Sequence, residues 1–205
     1  MMKFFNTLII SGGKKSAAYD IFIQTKGEIP NIIFVPVGDG VIIGGLYKGF
    51  TELAKLGLID NLPKLVAVQA DGSSAVVDFL SSGNFGYKPA YTIADSISAG
   101  APRNLYMANL AVKESNGFGV KVSDNEILSV QKELAHTTGL LVEPSSASTF
   151  AGYKKAKNNL RENEKAMLLM TGSGLKDSSA LKLWNKEPQV KNAAEWKSLL
   201  IKSTS

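Results

Sequence analysis

Three short apolar runs, each followed at once by turn residues, constrain this chain more than any other feature. Residues 31–37 read NIIFVPV, residues 64–70 read KLVAVQA and residues 166–170 read AMLLM. None sustains a polar/apolar alternation. A strand without a polar face has to be covered on both sides, as in a parallel sheet with helices above and below it. After the first run come Gly38, Asp39 and Gly40, then Ile42, Leu46, Phe50 and Leu53 at helical spacing, with Lys55 in the last turn and Gly57 as a stop signal. After the second come a turn at Asp71 and Gly72 and a short helix over 74–80. Strand, helix and strand with short joints predict a parallel pair with a right-handed crossover.

The rest of the chain continues this alternation. Residues 81–101, rich in Gly, Ser and Pro and without a period, predict a functional loop lying over the sheet edge. A helix over 104–114 leads into a short strand at 119–122. Ser123 and Glu126 form a capping box for a helix that holds Ile127, Val130, Leu134 and His136 and closes at Gly139. A short strand at 140–142, a helix opened by Pro144 and running to about residue 158, and the strand at 166–170 follow. Beyond Pro188, a helix near 193–201 would turn Trp196, Leu199 and Leu200 inward. The pattern predicts an α/β, doubly wound, mostly parallel sheet with helices on both faces. We expect one domain over 1–205 with a C-terminal helical extension over 186–205.

Composition narrows the chemistry. The 205 residues include no cysteine and one histidine, His136, so a disulfide, a zinc–thiolate site, a thiol nucleophile and a His-based metal site are excluded. What remains is hydroxyls, carboxylates, lysines, backbone groups or a cofactor. The apolar stretch over residues 4–10, broken by Asn6 and Thr7, is shorter than a signal-peptide core and far short of a membrane span of roughly 20 residues, so we expect a cytoplasmic protein. The net charge of +5 is spread over scattered lysines and does not form a stripe interleaved with aromatics, so a nucleic-acid partner is not expected. Lys154 to Lys157 and Arg161, ending in Glu162 and Glu164, read as a solvated helix end.

In an open α/β sheet, ligands bind beyond the carboxyl ends of the strands, where a Gly-rich turn feeds a helix N-terminus and its free N–H groups can hold an anion. Two turns qualify: Gly38-Asp39-Gly40-Val41, and Thr171-Gly172-Ser173-Gly174. Gly38, Gly40 and Gly44 also loosely fit a dinucleotide fingerprint, with Asp71 as its ribose partner, although Asp71 comes later than the usual spacing. Gly12-Gly13-Lys14-Lys15-Ser16 lacks the first glycine of a nucleotide-binding P-loop, where Leu8 stands, so Ser16 is expected to cap a helix through Ile23 instead.

Five segments in order, GKKSAAY (13–19), VPVGDGVIIGGLYK (35–48), TIADSI (92–97), EPSSAS (143–148) and TGSGLKD (171–177), resemble the second half of threonine synthases, members of the tryptophan-synthase-β-like pyridoxal phosphate (PLP) family. The match spans about residues 12–180. The resemblance implies that Gly38, Asp39, Gly40 and Val41 hold the PLP phosphate through backbone amides and that Thr171 faces the pyridine nitrogen. A neutral hydroxyl there leaves that nitrogen largely unprotonated. The resemblance also places Glu143 near the cofactor's edge, where its carboxylate could equally complement a helix dipole. Asp95 and Ser96 would lie on a loop beside the substrate, unless they only form the turn. Lys176 and Asp177 are expected to pair behind the turn, and His136 to end its helix without an acid–base role.

The departures from the family matter as much. Its members hold PLP as a Schiff base to a lysine in a Ser-x-Lys-Asp-like motif of their first half, and no such segment occurs among these 205 residues. The resemblance therefore implies the cofactor-phosphate half of an enzyme that converts O-phosphohomoserine to threonine, by phosphate elimination and then water addition. The chain alone is expected to bind PLP weakly and to turn over nothing. A complementary N-terminal half, or self-association through uncovered sheet edge and apolar surface, is the expected partner. A threonine or serine dehydratase-like fragment, a non-catalytic cofactor- or partner-binding domain and an NAD(P)-binding Rossmann domain are the alternatives. Asp39 stands where the family usually has Asn, and a carboxylate beside a phosphate dianion opposes binding unless it serves only as a helix cap. Asp39→Asn is expected to tighten phosphate or PLP binding; unchanged or weaker affinity in a titration would count against this turn as the phosphate site.

Overall fold

The structure is a computed structural model that describes residues 12–184. In chain order it runs α1 (Ser16–Gln24), β1 (Ile32–Pro36), α2 (Val41–Lys55), β2 (Lys64–Ala70), α3 (Ala75–Ser82), α4 (Leu105–Glu114) and β3 (Gly119–Val122). Then come α5 (Asp124–Thr138), α6 (Pro144–Ala156), β4 (Ala166–Leu168) and α7 (Ser179–Lys182). The four strands are parallel and lie in the order β3-β2-β1-β4. Ile32 pairs with Lys64 on one side and with Ala166 on the other, and Ala67 pairs with Gly119.

Side chains of successive strand residues point to opposite faces, and here both faces are apolar. Ile33, Val35, Leu65 and Ala67 join Leu46 and Phe50 of α2 and Ala108 and Val112 of α4 in one core. Ile32, Phe34, Val66 and Val68 join Ile127 and Leu134 of α5 and Ala147 and Ala151 of α6 in another. The sheet is doubly wound, as its apolar runs require. α2 carries the chain from β1 to β2 over one face; after β3, α5 and α6 cross the other face and return the chain to β4, on the far side of β1. The winding therefore reverses between β1 and β4, and the carboxyl ends of these two strands open a crevice at the switch point.

Several local expectations change. The capping box forms: Ser123 Oγ accepts from the Glu126 N–H, and Glu126 accepts from the Ser123 N–H at 2.7 Å. The segment 140–142 is not a strand; it makes one antiparallel bridge, Val142 to Ser173, because it is already turning into α6. β4 stops at Leu168, with the Leu169 N–H still donating to the Phe34 carbonyl at 3.0 Å. Ser16 does not cap a helix. It lies inside α1 and donates to the Gly13 carbonyl at 3.1 Å, since residues 12–14 are already helical. His136 is exposed in the last turn of α5. The helix expected near 193–201 and the extension over 186–205 lie outside the described residues, as does the 4–10 stretch. Among the described residues, no helix is long and apolar enough to cross a membrane.

Phe34, fully buried, meets Phe118 and Tyr153 edge-on. Its removal would leave a void under the central strand. Phe34→Ala is expected to cost about 3–5 kcal/mol, read as a lowered urea midpoint; a loss below about 1 kcal/mol would mean that the ring carries little of the core.

Candidate functional site

The two Gly-rich turns meet. The end of β1 and the turn after it (residues 36–43), Thr171 after β4, and Ser96, Glu143 and Ser145 line one cavity of about 430 Å³ at the switch point. This volume lies within the usual range for a small-molecule site, roughly 300–1,000 Å³.

On the β1 side, the Val37 N–H is the last to bond into the sheet, to the Val68 carbonyl at 2.9 Å. Beyond it, the N–H groups of residues 38–43 meet no acceptor among the described residues, and the first bond of α2 runs from the Gly44 N–H to the Gly40 carbonyl at 3.2 Å. Six donors thus converge at a helix start, which also carries the positive end of the helix dipole. Gly40 has φ +82°, a backbone region side chains avoid, and a Cβ on Gly38 would sit 2.9 Å from Ile97 Cα. Glycine is required at the first position by conformation and at the second by the loop packed against it.

On the β4 side the turn is held from behind by α6. The buried Ser146 hydroxyl accepts from the N–H groups of both Thr171 and Gly172 at 2.9 Å, and the Glu143 N–H donates to the Gly172 carbonyl at 3.0 Å. With its backbone tied to the helix, Thr171 presents an exposed side chain to the cavity. Glu143 is the N-cap residue of α6, yet its buried carboxylate caps nothing. One oxygen accepts from the Ser96 hydroxyl at 2.9 Å and lies 3.4 Å from Lys176 Nζ. Lys176 also donates to Ser96 Oγ at 3.0 Å, so three segments close around the cavity through one small network.

The other expected residues divide. Asp95 is exposed and is not part of the cavity lining, whereas its neighbour Ser96 is. Lys176 does not pair with Asp177: its ammonium turns to Glu143, and Asp177 accepts from Ser179. Asp39 is not a helix cap, since Gly40 occupies that position; its carboxylate accepts from the Arg103 N–H at 3.3 Å and lies 3.4 Å from the guanidinium Nε. Asp71 lines a different cavity, with Asp78 and Lys121, so the dinucleotide pairing with the 38–44 turn does not assemble. No group of three His, Asp or Glu among the described residues could hold a metal.

Sequence reasoning missed Lys14 and Arg103, which line the cavity, and Ser146, which orders one of its turns. Lys14 lay within the rejected P-loop segment; Arg103 carried no local signal at all. Lys14 is brought to the rim because α1 is fastened to α2: Glu52 accepts from Lys15 Nζ at 2.8 Å and from the Tyr19 hydroxyl, and pairs with Lys48 at 3.0 Å.

The chain matches the model of the pyridoxal-phosphate dependent enzyme family over residues 1–172, and it belongs to that family. Its cofactor is the phosphate ester of a small aromatic ring, and six unsatisfied N–H groups on the wall of a cavity of about 430 Å³ fit such a group. The chain is 38% identical to the threonine synthase of Methanocaldococcus jannaschii over 181 residues, 86% of this chain and 45% of that one. It is 37% identical to the threonine synthase of Methanosarcina acetivorans over 186 residues, 88% of this chain and 46% of that one. The chain thus spans about half the length of the curated relatives it matches. An L-serine ammonia-lyase from Rhizomucor miehei has the same fold, with a TM-score of 0.70 at 19% identity, covering 85% of this chain and 56% of that one.

The Glu52 cluster generates a pH dependence. The hydrogen bond from Lys15, followed by those from Tyr19 and Lys48, lowers the Glu52 carboxyl from 4.5 to about 2. A depressed carboxyl contributes stability above its unfolded value and loses it as pH falls from about 4.5 through about 2. Glu52→Gln is expected to flatten the thermal midpoint across that acid window and to change it less in high salt, where this half-buried cluster is partly screened. An unchanged acid profile in thermal melts would mean that the cluster does not hold α1.

Proposed function

We propose that this chain is the cofactor-phosphate half of a threonine synthase-like enzyme, which converts O-phosphohomoserine and water to threonine and phosphate. The observation that carries the reading is the meeting of the 38–43 turn and Thr171 in one cavity at the strand switch point. The similarity to two threonine synthases at 37–38% identity favours this chemistry over that of the ammonia-lyases, whose likeness is one of fold.

In this reading, the N–H groups of Gly38, Asp39, Gly40, Val41 and their helical neighbours bind the cofactor phosphate. PLP, when bound, supplies an electron sink for charge developing beside the substrate's amino group. Thr171 meets the ring nitrogen with a neutral hydroxyl. Glu143, oriented by Ser96 and Lys176, would border the ring, and Ser96, unlike its exposed neighbour Asp95, would face the substrate. The Arg103 guanidinium draws the Asp39 carboxylate aside, which reduces the repulsion this acidic residue would otherwise offer a phosphate. The fixed donors replace water around the anion without reorganising. The amine that would hold PLP covalently and move protons at the substrate would come from a complementary N-terminal half. The alternative partner is a second copy of the chain.

Titration with PLP is expected to give weak, saturable and reversible binding that inorganic phosphate displaces and NAD(P) does not, with no single lysine trapped by borohydride. Mixed with a chain that bears a Ser-x-Lys-Asp motif, the protein is expected to release phosphate from O-phosphohomoserine. Formation of ammonia and a 2-oxo acid from threonine or serine, without phosphate release, would replace this reading with the dehydratase. Binding of NAD(P) in place of PLP would replace it with the nucleotide-binding domain.

A further inference from the structure

Free N–H groups grip an anion only if they are held pointing at it, and nothing on the cavity side of the 38–43 turn holds them. The restraint comes from behind. In a planar trans peptide the C=O of one residue and the N–H of the next point in opposite directions, so anchoring the carbonyl aims the amide. Three carbonyls of this turn are anchored, all by two side-chain amides and one backbone N–H. Gln69 Nε2 donates to the Val37 carbonyl at 3.0 Å, which aims the Gly38 N–H. The Asn104 backbone N–H donates to the Asp39 carbonyl at 3.0 Å, which aims the Gly40 N–H. Asn104 Nδ2 donates to the Gly40 carbonyl at 3.1 Å, which aims the Val41 N–H.

Both anchors are themselves immobilised. Gln69, at the end of β2, is 0% exposed, and its Oε1 accepts from the N–H groups of Val76 and Val77 at 2.9 Å, where α3 begins. Asn104 is the N-cap residue of α4 and is buried against Gly44, where a Cβ would come within 2.9 Å of its Nδ2. Gln69 has both ends of its buried amide bonded and so has little hydrogen-bonding capacity left for a ligand, and neither residue lines the cavity.

We propose that Gln69 and Asn104 are the positioning residues of the anion site: acting through the carbonyls of Val37 and Gly40, their side chains orient the Gly38 and Val41 amides toward a bound phosphate ester. This rests on the reading of the turn as the cofactor-phosphate site. A preoriented donor set costs no reorganisation on binding, and a slack one loses that advantage for the phosphate alone.

The test compares pyridoxine 5′-phosphate with pyridoxine, which lacks the phosphate; neither has an aldehyde to react with surface lysines. Calorimetric titration of the chain is expected to show a preference for the phosphate ester. Asn104→Ala and Gln69→Glu, checked for folding by circular dichroism, are expected to lose about tenfold of that preference, the usual weight of hydrogen bonds to a charged group, with pyridoxine binding unchanged. Gln69→Glu adds a pH signature. A protonated carboxyl can still donate to the Val37 carbonyl, so the preference should return toward wild type as pH falls, measured against wild type at each pH. Loss of affinity for both ligands alike in the folded variants, or a preference that survives in them, would overturn the positioning role and leave the phosphate site standing. A wild-type chain without any preference would overturn the phosphate site, and this inference with it. Should Gln69→Glu not fold, Asn104→Ala alone decides, since it leaves the backbone bond to Asp39 in place and removes only the side-chain bond to the Gly40 carbonyl, which keeps its helical bond from the Gly44 N–H.

Discussion

β1 is bonded along both edges and covered on both faces, and the rest of the structure is arranged to satisfy it. A strand of Ile, Ile, Phe and Val has no solvent face, so helices must lie above and below. Right-handed crossovers then force the chain to leave β1 over one face and to come back to its far side over the other. The crevice at the carboxyl ends of β1 and β4 is a consequence of that reversal. It is the one place in the sheet where two strand ends are adjacent and the connections leaving them diverge, so that neither covers the other.

What fills the crevice wall is mainly backbone. The turn after β1 offers N–H groups, the turn after β4 offers one hydroxyl, and the side chains that order them lie on the other side of the main chain. Ser146 holds the second turn as Gln69 and Asn104 hold the first. Side chains with formal charge are partly neutralised among themselves, Asp39 by Arg103 at the rim and the buried Glu143 by Lys176. An anion entering this site therefore meets oriented dipoles first, in a setting where water is partly excluded and such dipoles count for more than they would at a free surface.

Much of the architecture was legible. The apolar runs located β1 and β2 to within a residue, and Ser123 with Glu126 marked the start of α5, because these features depend on residues close together in the chain. The failures came where a long-range contact outvoted a local preference. Residues 140–142 look like a strand but are held by one bridge to Ser173, and Ser16 resembles a cap although Lys15 holds that position and the Ser16 hydroxyl donates back to the Gly13 carbonyl. Lys176 was expected beside Asp177; the buried Glu143 carboxylate, brought from another element, is the stronger attraction for an ammonium group. Arg103 and Gln69 could not have been found, since an arginine in a loop and a glutamine in a strand carry no spacing that says what they touch.

By itself the sequence determined the class of fold, the two turns and the glycines that shape them, since each of these follows from side-chain volume, polarity and backbone freedom over a few residues. Only the tertiary structure decided that Gly38 and Thr171 share a cavity, that Asp95 is left out of it and that Ser96 and Lys176 meet on Glu143. Those outcomes depend on how strands far apart in the chain are ordered in the sheet and on which buried polar groups must find partners there, and no local pattern encodes either.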